Sequence, residues 1–313
     1  MKTILLTAIG GDIAQGVATI IRQTFPEWRI VGADMRGRHG GKLFVDTLLV
    51  APAATDSGFE AWLGETISEH AVDFCIPFSE EELGFFCERN ITKVMEAEII
   101  TPGFKALEVG NDKLLTAEFL AGIDIPGPWT VDAGQQQAGL NFPCIYKPRR
   151  GAGSKAIFIC KTQEEADFYT EHYPGGIYQE LLLPADQEVT CAIYRTAEGK
   201  VVTLQLLRTL AGGFTSWAQV IQDDEVERQC TQIANALDLR GSINVQLRIT
   251  DEGPRIFEIN SRFSSTILLR HIMGFQDAVW TLQEKLGLPI ELYSPSVGVT
   301  GVRVQSGALV TED

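Results

Sequence analysis

The segment from Gly241 to Ser264, GSINVQLRITDEGPRIFEINSRFS, holds the residues with the clearest chemical pattern. Two runs of alternating character, 244–250 and 255–260, flank Asp251-Glu252-Gly253, which reads as a three-residue hairpin loop with glycine in the left-handed position. If Thr250 pairs with Pro254, Gln246 falls opposite Glu258 and Asn244 opposite Asn260. Side chains alternate along a strand, so these four share one face while Val245, Leu247, Phe257 and Ile259 share the other. The second set is a core face. The first is a group of oxygen donors with a single carboxylate, which suits Mg2+ held partly by substrate phosphates, because that ion takes hard oxygen ligands and keeps open positions. Arg262 could neutralise charge on a phosphoryl group in transfer. The competing reading is a hairpin face in water.

Upstream segments add to the pattern. Cys144-Ile145-Tyr146-Lys147-Pro148 reads as a strand ending in lysine, and Arg149-Arg150-Gly151-Ala152-Gly153-Ser154-Lys155 is a basic loop before the apolar run 156–160. Glycines let backbone N–H groups approach phosphate, and the basic side chains add positive charge. In 177–183 Glu180 is embedded in an apolar run, and Glu188 precedes Val189. One such acid can accept from an adenine amino group and a second from ribose hydroxyls. Taken singly, these features also fit a polar hairpin tip and two surface acids.

In this order the segments resemble the ATP-grasp superfamily, most closely its members related to the carbamoyl phosphate synthase large subunit. The resemblance runs over essentially the whole chain, and NVQ combined with FEINSR is its specific part. It implies that Lys113 and Lys147 contact the nucleotide and that the 149–155 loop, with Arg150, Gly151, Gly153 and Ser154, covers the phosphates. It also implies that Glu180 and Leu182 lie at the adenine, Glu188 at the ribose, and Gln246, Glu258 and Asn260 at the metal. Arg262 falls on the catalytic arginine, and Arg208, in LQLLRTLAGGFTSW, resembles the positions that bind a substrate carboxylate. Gln246 departs from the acid that many relatives carry, although the synthase-like branch also uses glutamine. The implied reaction uses ATP and Mg2+, with Mn2+ an acceptable substitute. A small-molecule carboxylate becomes an acyl phosphate with release of ADP, and an amine or a thiol then attacks it. A homodimer is compatible with the superfamily.

These residues need a scaffold. Residues 1–103 alternate apolar runs (3–9, 30–34, 45–50, 72–77, 98–100) with helical patterns (13–24, 59–69, 80–88), as in a parallel sheet covered by helices. The fold class expected is α/β, becoming α+β in the ATP-clasping part. A Rossmann-like pre-ATP-grasp domain over 1–103 is followed by a small lobe over 104–182 and a large lobe over 183–313 that carries the metal site. Asn111 is placed to cap a helix over 112–121. The opening glycines in TAIGGDIAQG lack the Lys-Ser/Thr of a phosphate loop and put Ile13 where a dinucleotide fingerprint needs its second glycine. Asp34 stands where a ribose-binding acid would sit, but the better reading is a turn that needs glycine for its backbone.

The remaining composition narrows the function. At 313 residues with a formal charge of −15, the chain repels nucleic-acid phosphates, so no nucleic-acid partner is expected. Six scattered cysteines without a Cys-x-x-Cys pair read as small core residues in a reducing compartment. The opening apolar run is too short for a signal peptide, no membrane span is visible, and a cytoplasmic location follows as the default. His39, His70, His172 and His271 show no metal spacing, and Trp217 and Gln219 are candidates for an acceptor pocket. Besides a ligase, two other classes fit less well. A noncatalytic nucleotide-binding regulator would not need Glu258, Asn260 and Arg262 together, and a nicotinamide oxidoreductase would need a proper glycine fingerprint.

Overall fold

The computed structural model describes residues 1–135, 139–151 and 156–309. The first part of the chain runs β1 (Thr3–Leu6), α1 (Asp12–Thr24), β2 (Arg29–Asp34), β3 (Thr47–Val50), α2 (Phe59–His70), β4 (Phe74–Ile76), α3 (Glu80–Glu88), β5 (Lys93–Val94) and β6 (Ala97–Ile99). Its six strands lie in the order β3-β2-β1-β4-β6-β5, parallel except for the short β5. Alternation along β1 sends Ile4 and Leu6 to one layer, with Val17, Ile20 and Ile21 of α1, and Leu5 to the other, with Phe59 and Leu63 of α2 and Phe85 of α3. Because both faces are covered, the strands read as continuous apolar runs. The strand order reverses between β1 and β4, and the carboxyl ends of these two strands form the crevice where open α/β sheets take ligands.

The chain continues through α4 (Phe104–Gly110), α5 (Lys113–Gly122), β7 (Thr130–Asp132), β8 (Cys144–Pro148), β9 (Phe158–Cys160), α6 (Gln163–His172) and β10 (Gly176–Glu180). The strands form an antiparallel sheet ordered β7-β10-β8-β9. The helix expected over 112–121 is present, but its cap is Asp112, whose carboxylate receives the N–H groups of Leu114 and Leu115. Asn111 instead closes α4, a helix that sequence periodicity did not bring out.

A third sheet completes the chain with β11 (Glu188–Arg195), β12 (Val201–Ala211), β13 (Phe214–Ile221), α7 (Asp224–Ala236), β14 (Gly241–Thr250), β15 (Gly253–Asn260), α8 (Ile267–Ile272), α9 (Asp277–Lys285) and β16 (Thr300–Val302). Its order is β15-β14-β11-β12-β13-β16. Asp223 caps α7, whose Val226, Cys230 and Ile233 bury one face of the sheet with Val189, Val245, Leu247 and Ile259. On the other face the covering is partial. Ala192 and Tyr194 of β11 pack under Trp280 of α9, whereas Thr190 and Glu188, next on the same face, are polar and lead into an open cleft.

The β14–β15 hairpin reaches the expected pairing by a different route. Thr250 pairs with Gly253, not Pro254, so the turn is one residue shorter than expected, and Gly253 takes a positive φ of 103°. A bulge between Gln246 and Leu247 then inserts one extra residue in β15 and restores Gln246 opposite Glu258 and Asn244 opposite Asn260. The inserted residue is Phe257. It leaves the core face, where Ile256 is fully buried in its place, and turns toward the cleft. No helix among the described residues is long and apolar enough to cross a membrane.

Candidate functional site

A cleft of about 660 Å³ lies between the second and third sheets and is bordered at one end by Asp12 and Ile13 at the start of α1. Of the described residues that the sequence singled out for the nucleotide, the metal or catalysis, all but Asn244 and Arg149 border it. β14 and β15 supply Gln246, Glu258 and Asn260, the following loop Arg262, β8 Lys147, the start of α5 Lys113, and β10 with its linker Glu180 and Leu182. Glu188, Arg208, Arg150 and Gly151 complete the set. Gly153 and Ser154 lie outside the described residues. Trp217 and Gln219 stay on β13 and do not border the cleft.

Lys147 is the most constrained charge. It is 5% exposed, and its ammonium makes no hydrogen bond among the described residues; the ring of Phe257 lies 5.7 Å away. Burial pushes its pKa down to about 8, opposed by the carboxylates of Glu258 and Glu188, with Lys113 adding to the depression. Lys113 also borders the cleft, its ammonium donating to the carbonyl of Gly151 at 2.8 Å. The base of the 149–151 segment is tied down by Arg149, which donates to both oxygens of Asp112 at 2.8 Å and to Asp132 at 3.1 Å. Burial works to raise the Asp112 pKa, but the hydrogen bonds from Arg149 and from the helix N–H groups outweigh it and the pKa falls. One carboxylate therefore caps α5 and anchors the loop above the cleft.

The two acids assigned to the nucleoside end are held by arginines that sequence reasoning did not connect to them. Glu180 accepts from Arg255 on both oxygens at 2.9 Å and from the N–H of Trp129 at 3.2 Å. Glu188 accepts from Arg208 Nη2 and Nε at 2.7 and 3.1 Å and from Arg248 Nη2 at 2.7 Å. A carboxylate offers about four lone-pair positions, so each retains room for one more donor. Arg208 is 8% exposed in this pair, which excludes a solvated surface ion pair. Arg248 also donates to the carbonyl of Leu182 at 2.6 Å, joining β14 to the linker that crosses the cleft.

Among the residues assigned to a metal the pattern is opposite. Glu258, Gln246 and Asn260 are partly exposed, and their side chains make no hydrogen bond or ion pair among the described residues. Asn244 lies deeper, fully buried, with Oδ1 accepting from Thr190. No group of three His, Cys, Asp or Glu suited to a metal occurs among the described residues. One free carboxylate beside two free amide oxygens fits an ion that takes one or two carboxylates and completes its shell with phosphate and water, as Mg2+ does. Arg262 stands next to them, its guanidinium donating to the carbonyl of Phe263 at 3.3 Å and lying 3.8 Å from Glu80 of α3.

The loop that presents Arg262 is set from below. Arg270 and Asp277, both fully buried, form an ion pair in which Arg270 also donates to Ser264 at 3.1 Å and Ser242 donates to Asp277. The opening glycine turn, in contrast, folds on itself: the Asp34 carboxylate receives the N–H groups of Gly10 at 2.9 Å and Arg36 at 3.0 Å. A Cβ on Gly10 would lie 2.8 Å from Asp34, and one on Gly16 would lie 2.9 Å from Ile267, so these glycines serve close packing.

Residues 110–266 match the ATP-grasp domain family. This chain belongs to the ATP-grasp family. A 92-residue stretch is 33% identical to D-alanine–D-alanine ligase of Thermotoga maritima, covering 28% of this chain and 30% of that ligase. The match thus spans less than a third of that relative's length. Among solved structures, N5-carboxyaminoimidazole ribonucleotide synthetase from Thermus thermophilus superposes with a TM-score of 0.73 over 94% of this chain and 80% of its own, at 18% identity. L-amino acid ligase from Bacillus licheniformis superposes with a TM-score of 0.69 over 91% and 74%, at 14% identity. At such identities the structures establish a shared fold, and the ATP-grasp cleft of this chain has to be read from its own residues.

Proposed function

We propose that this ATP-grasp protein is an ADP-forming ligase that activates a small-molecule carboxylate as an acyl phosphate and joins it to an amine, or less readily to a thiol. The observation that carries the reading is the division of charge in the cleft. Two lysines and Arg150 border it from α5, β8 and the loop after β8, and a carboxylate without a partner among the described residues borders it from β14 and β15 with two amide oxygens, followed by Arg262. That is the complement of a nucleoside triphosphate with a bound cation.

In this reading Lys113, Lys147 and the 150–154 segment hold the phosphates, Glu180 and Leu182 border the adenine, and Glu188 uses its spare lone pair for a ribose hydroxyl. Glu258, Gln246 and Asn260 would hold Mg2+, which supplies charge neutralisation between the phosphates and the incoming carboxylate. The chain's own part is positioning. Arg208 and Arg262 draw the carboxylate toward the terminal phosphate, Arg262 offsets charge on the phosphoryl group as it moves, and Lys147, desolvated, exerts its charge without competing water. The free cysteines, most of them buried, suit a reducing cytoplasm.

The test is a screen of carboxylic acids with magnesium-ATP and hydroxylamine, which traps an acyl phosphate as a hydroxamate. Equal amounts of hydroxamate and ADP are expected from the cognate acid. Formation of AMP and pyrophosphate would overturn the reading, because it would mean adenylation and not phosphorylation of the carboxylate.

A further inference from the structure

The acyl phosphate must be met by a nucleophile, and the residues assigned so far include no group that receives one. Asp12 and Ile13, beyond β1, border the cleft, Ile76 and Pro77 at the end of β4 share a small adjoining pocket with Arg262, and Glu80 is the first residue of α3, which follows β4. Its carboxylate reaches toward Arg262, but at 3.8 Å the pair is too long for a hydrogen bond, and the carboxylate accepts none among the described residues. The side chain is 25% exposed. Burial raises its pKa, Arg262 and Lys113 lower it, and Glu258 raises it, so it shares the electrostatic field of the metal-side cluster. Two carboxylates without hydrogen-bond donors among the described residues therefore act on each other through charge in this region, and Arg262 lies 3.8 Å from one of them, Glu80. Glu258 belongs to the β-sheet side and suits a cation bound to phosphate. Glu80 comes from the first sheet's crevice and has no such role.

Resting on the ligase reading, we infer that Glu80 is the residue that receives the nucleophile, docking the ammonium form of the amine beside Arg262 and taking a proton from it. A half-buried carboxylate lacking donors gains most from a ligand that brings several, and an ammonium carries three. The same contact disfavours an anionic nucleophile such as a thiolate or bicarbonate, so the acceptor is a primary amine or an amino acid. On attack, the nitrogen forms the C–N bond and the C–O bond to phosphate breaks, its electron pair leaving with the phosphate. The ammonium sheds two protons, one to Glu80 and on to water, the other to the departing phosphate.

The test uses the full chain and hydroxylamine, which is largely uncharged at neutral pH and needs no acid to dock it. With the carboxylate identified by hydroxamate formation, each protein amino acid and ammonium chloride is offered in turn, and phosphate release finds the working amine. In Glu80→Gln the KM for that amine is expected to rise about tenfold or more, the loss typical of a charged hydrogen-bond partner. Hydroxamate formation should stay within about twofold of wild type, because no charged partner of the trapping reaction is lost. An unchanged amine KM would overturn the inference. An equal fall in hydroxamate and amine-dependent turnover would also overturn it, by showing that Glu80 acts only in positioning Arg262. Glu80→Asp, which keeps the charge but shortens its reach, is expected to recover part of the amine KM. A magnesium-ATP thermal shift like that of wild type establishes that each variant is folded. Absence of hydroxamate from wild type would instead count against the ligase reading itself, so the two failures are distinguishable.

Discussion

Replacing Lys147 by Met should strengthen the fold while weakening the nucleotide site. The side chain is 5% exposed and its ammonium has no hydrogen-bond acceptor among the described residues, so the folded chain holds a desolvated charge at neutral pH. Moving its pKa from the ordinary 10.5 to about 8 corresponds to about 3 kcal/mol, at roughly 1.4 kcal/mol per tenfold change in proton affinity. Methionine keeps a stem of similar length and removes the charge. The sign with pH follows from where the proton leaves. Below about pH 8 both folded and unfolded chains carry it and the wild type bears the whole cost. Between about 8 and 10.5 the unfolded chain binds more protons, so wild-type stability rises with pH, and above 10.5 both forms are neutral and the cost is gone.

Lys147→Met is therefore expected to melt several degrees higher than wild type at pH 7, by up to about 3 kcal/mol, with the gap narrowing toward pH 10. Magnesium-ATP affinity should fall about 10- to 100-fold, the value of one charged hydrogen bond. A phosphate beside Lys147 would also raise its pKa, so wild-type binding near pH 8 should take up a proton, seen by titration calorimetry in buffers of different ionisation enthalpy, and the variant should lose that uptake. A variant less stable than wild type at neutral pH, or a stability gap that is flat from pH 7 to 10, would refute the burial cost on which the stability and proton-uptake expectations rest.

Glu258→Gln should retain nucleotide binding by equilibrium dialysis but lose turnover by about two orders of magnitude or more, since the one free carboxylate on the metal side disappears; wild-type rates would refute the metal assignment. Asp277→Asn leaves the fully buried Arg270 without its counter-charge and is expected to destabilise by about 3–5 kcal/mol in thermal or denaturant unfolding. Gly16→Val brings its branched side chain against Ile267 of α8, where even a Cβ has only 2.9 Å, and should cost about 1–3 kcal/mol while leaving Gly11→Ala, at a more open position, better tolerated.

Much of the scaffold could be read from the chain because its signals are local. The buried strands of the first sheet are unbroken apolar runs, and the helices over 59–70 and 80–88 fall where spacing put them. The face proposed for the metal was legible for a less secure reason. Its register was deduced from a loop one residue too long, and a bulge at Phe257 cancelled the error, so the pairing of Gln246 with Glu258 survived while the assignment of Phe257 to the core did not. Alternation carries no sign of an inserted residue, although Ile256-Phe257, two large apolar residues in succession within an alternating strand, marks where one could sit.

What stayed illegible depends on partners far apart in sequence. Glu180 looked like a lone acid in an apolar run because Arg255, which grips it, lies 75 residues away. Asp112 looked like a bystander next to Asn111, yet it both caps α5 and anchors Arg149, and only the fold brings those two demands to one carboxylate. Glu80 is the strongest case. In SEEEL it reads as an ordinary acidic helix start, with Ser79 and Glu82 forming the capping box, and nothing nearby sets it apart from Glu81. Its distinction arises when the first sheet turns its crevice toward the loop after β15, placing Arg262 within 3.8 Å and leaving the carboxylate desolvated without a donor. Motifs recorded the surfaces proposed to meet ATP, because those are built from contiguous strands and loops. The group argued to meet the second substrate sits where separate units converge, and a single sequence has no local pattern for that.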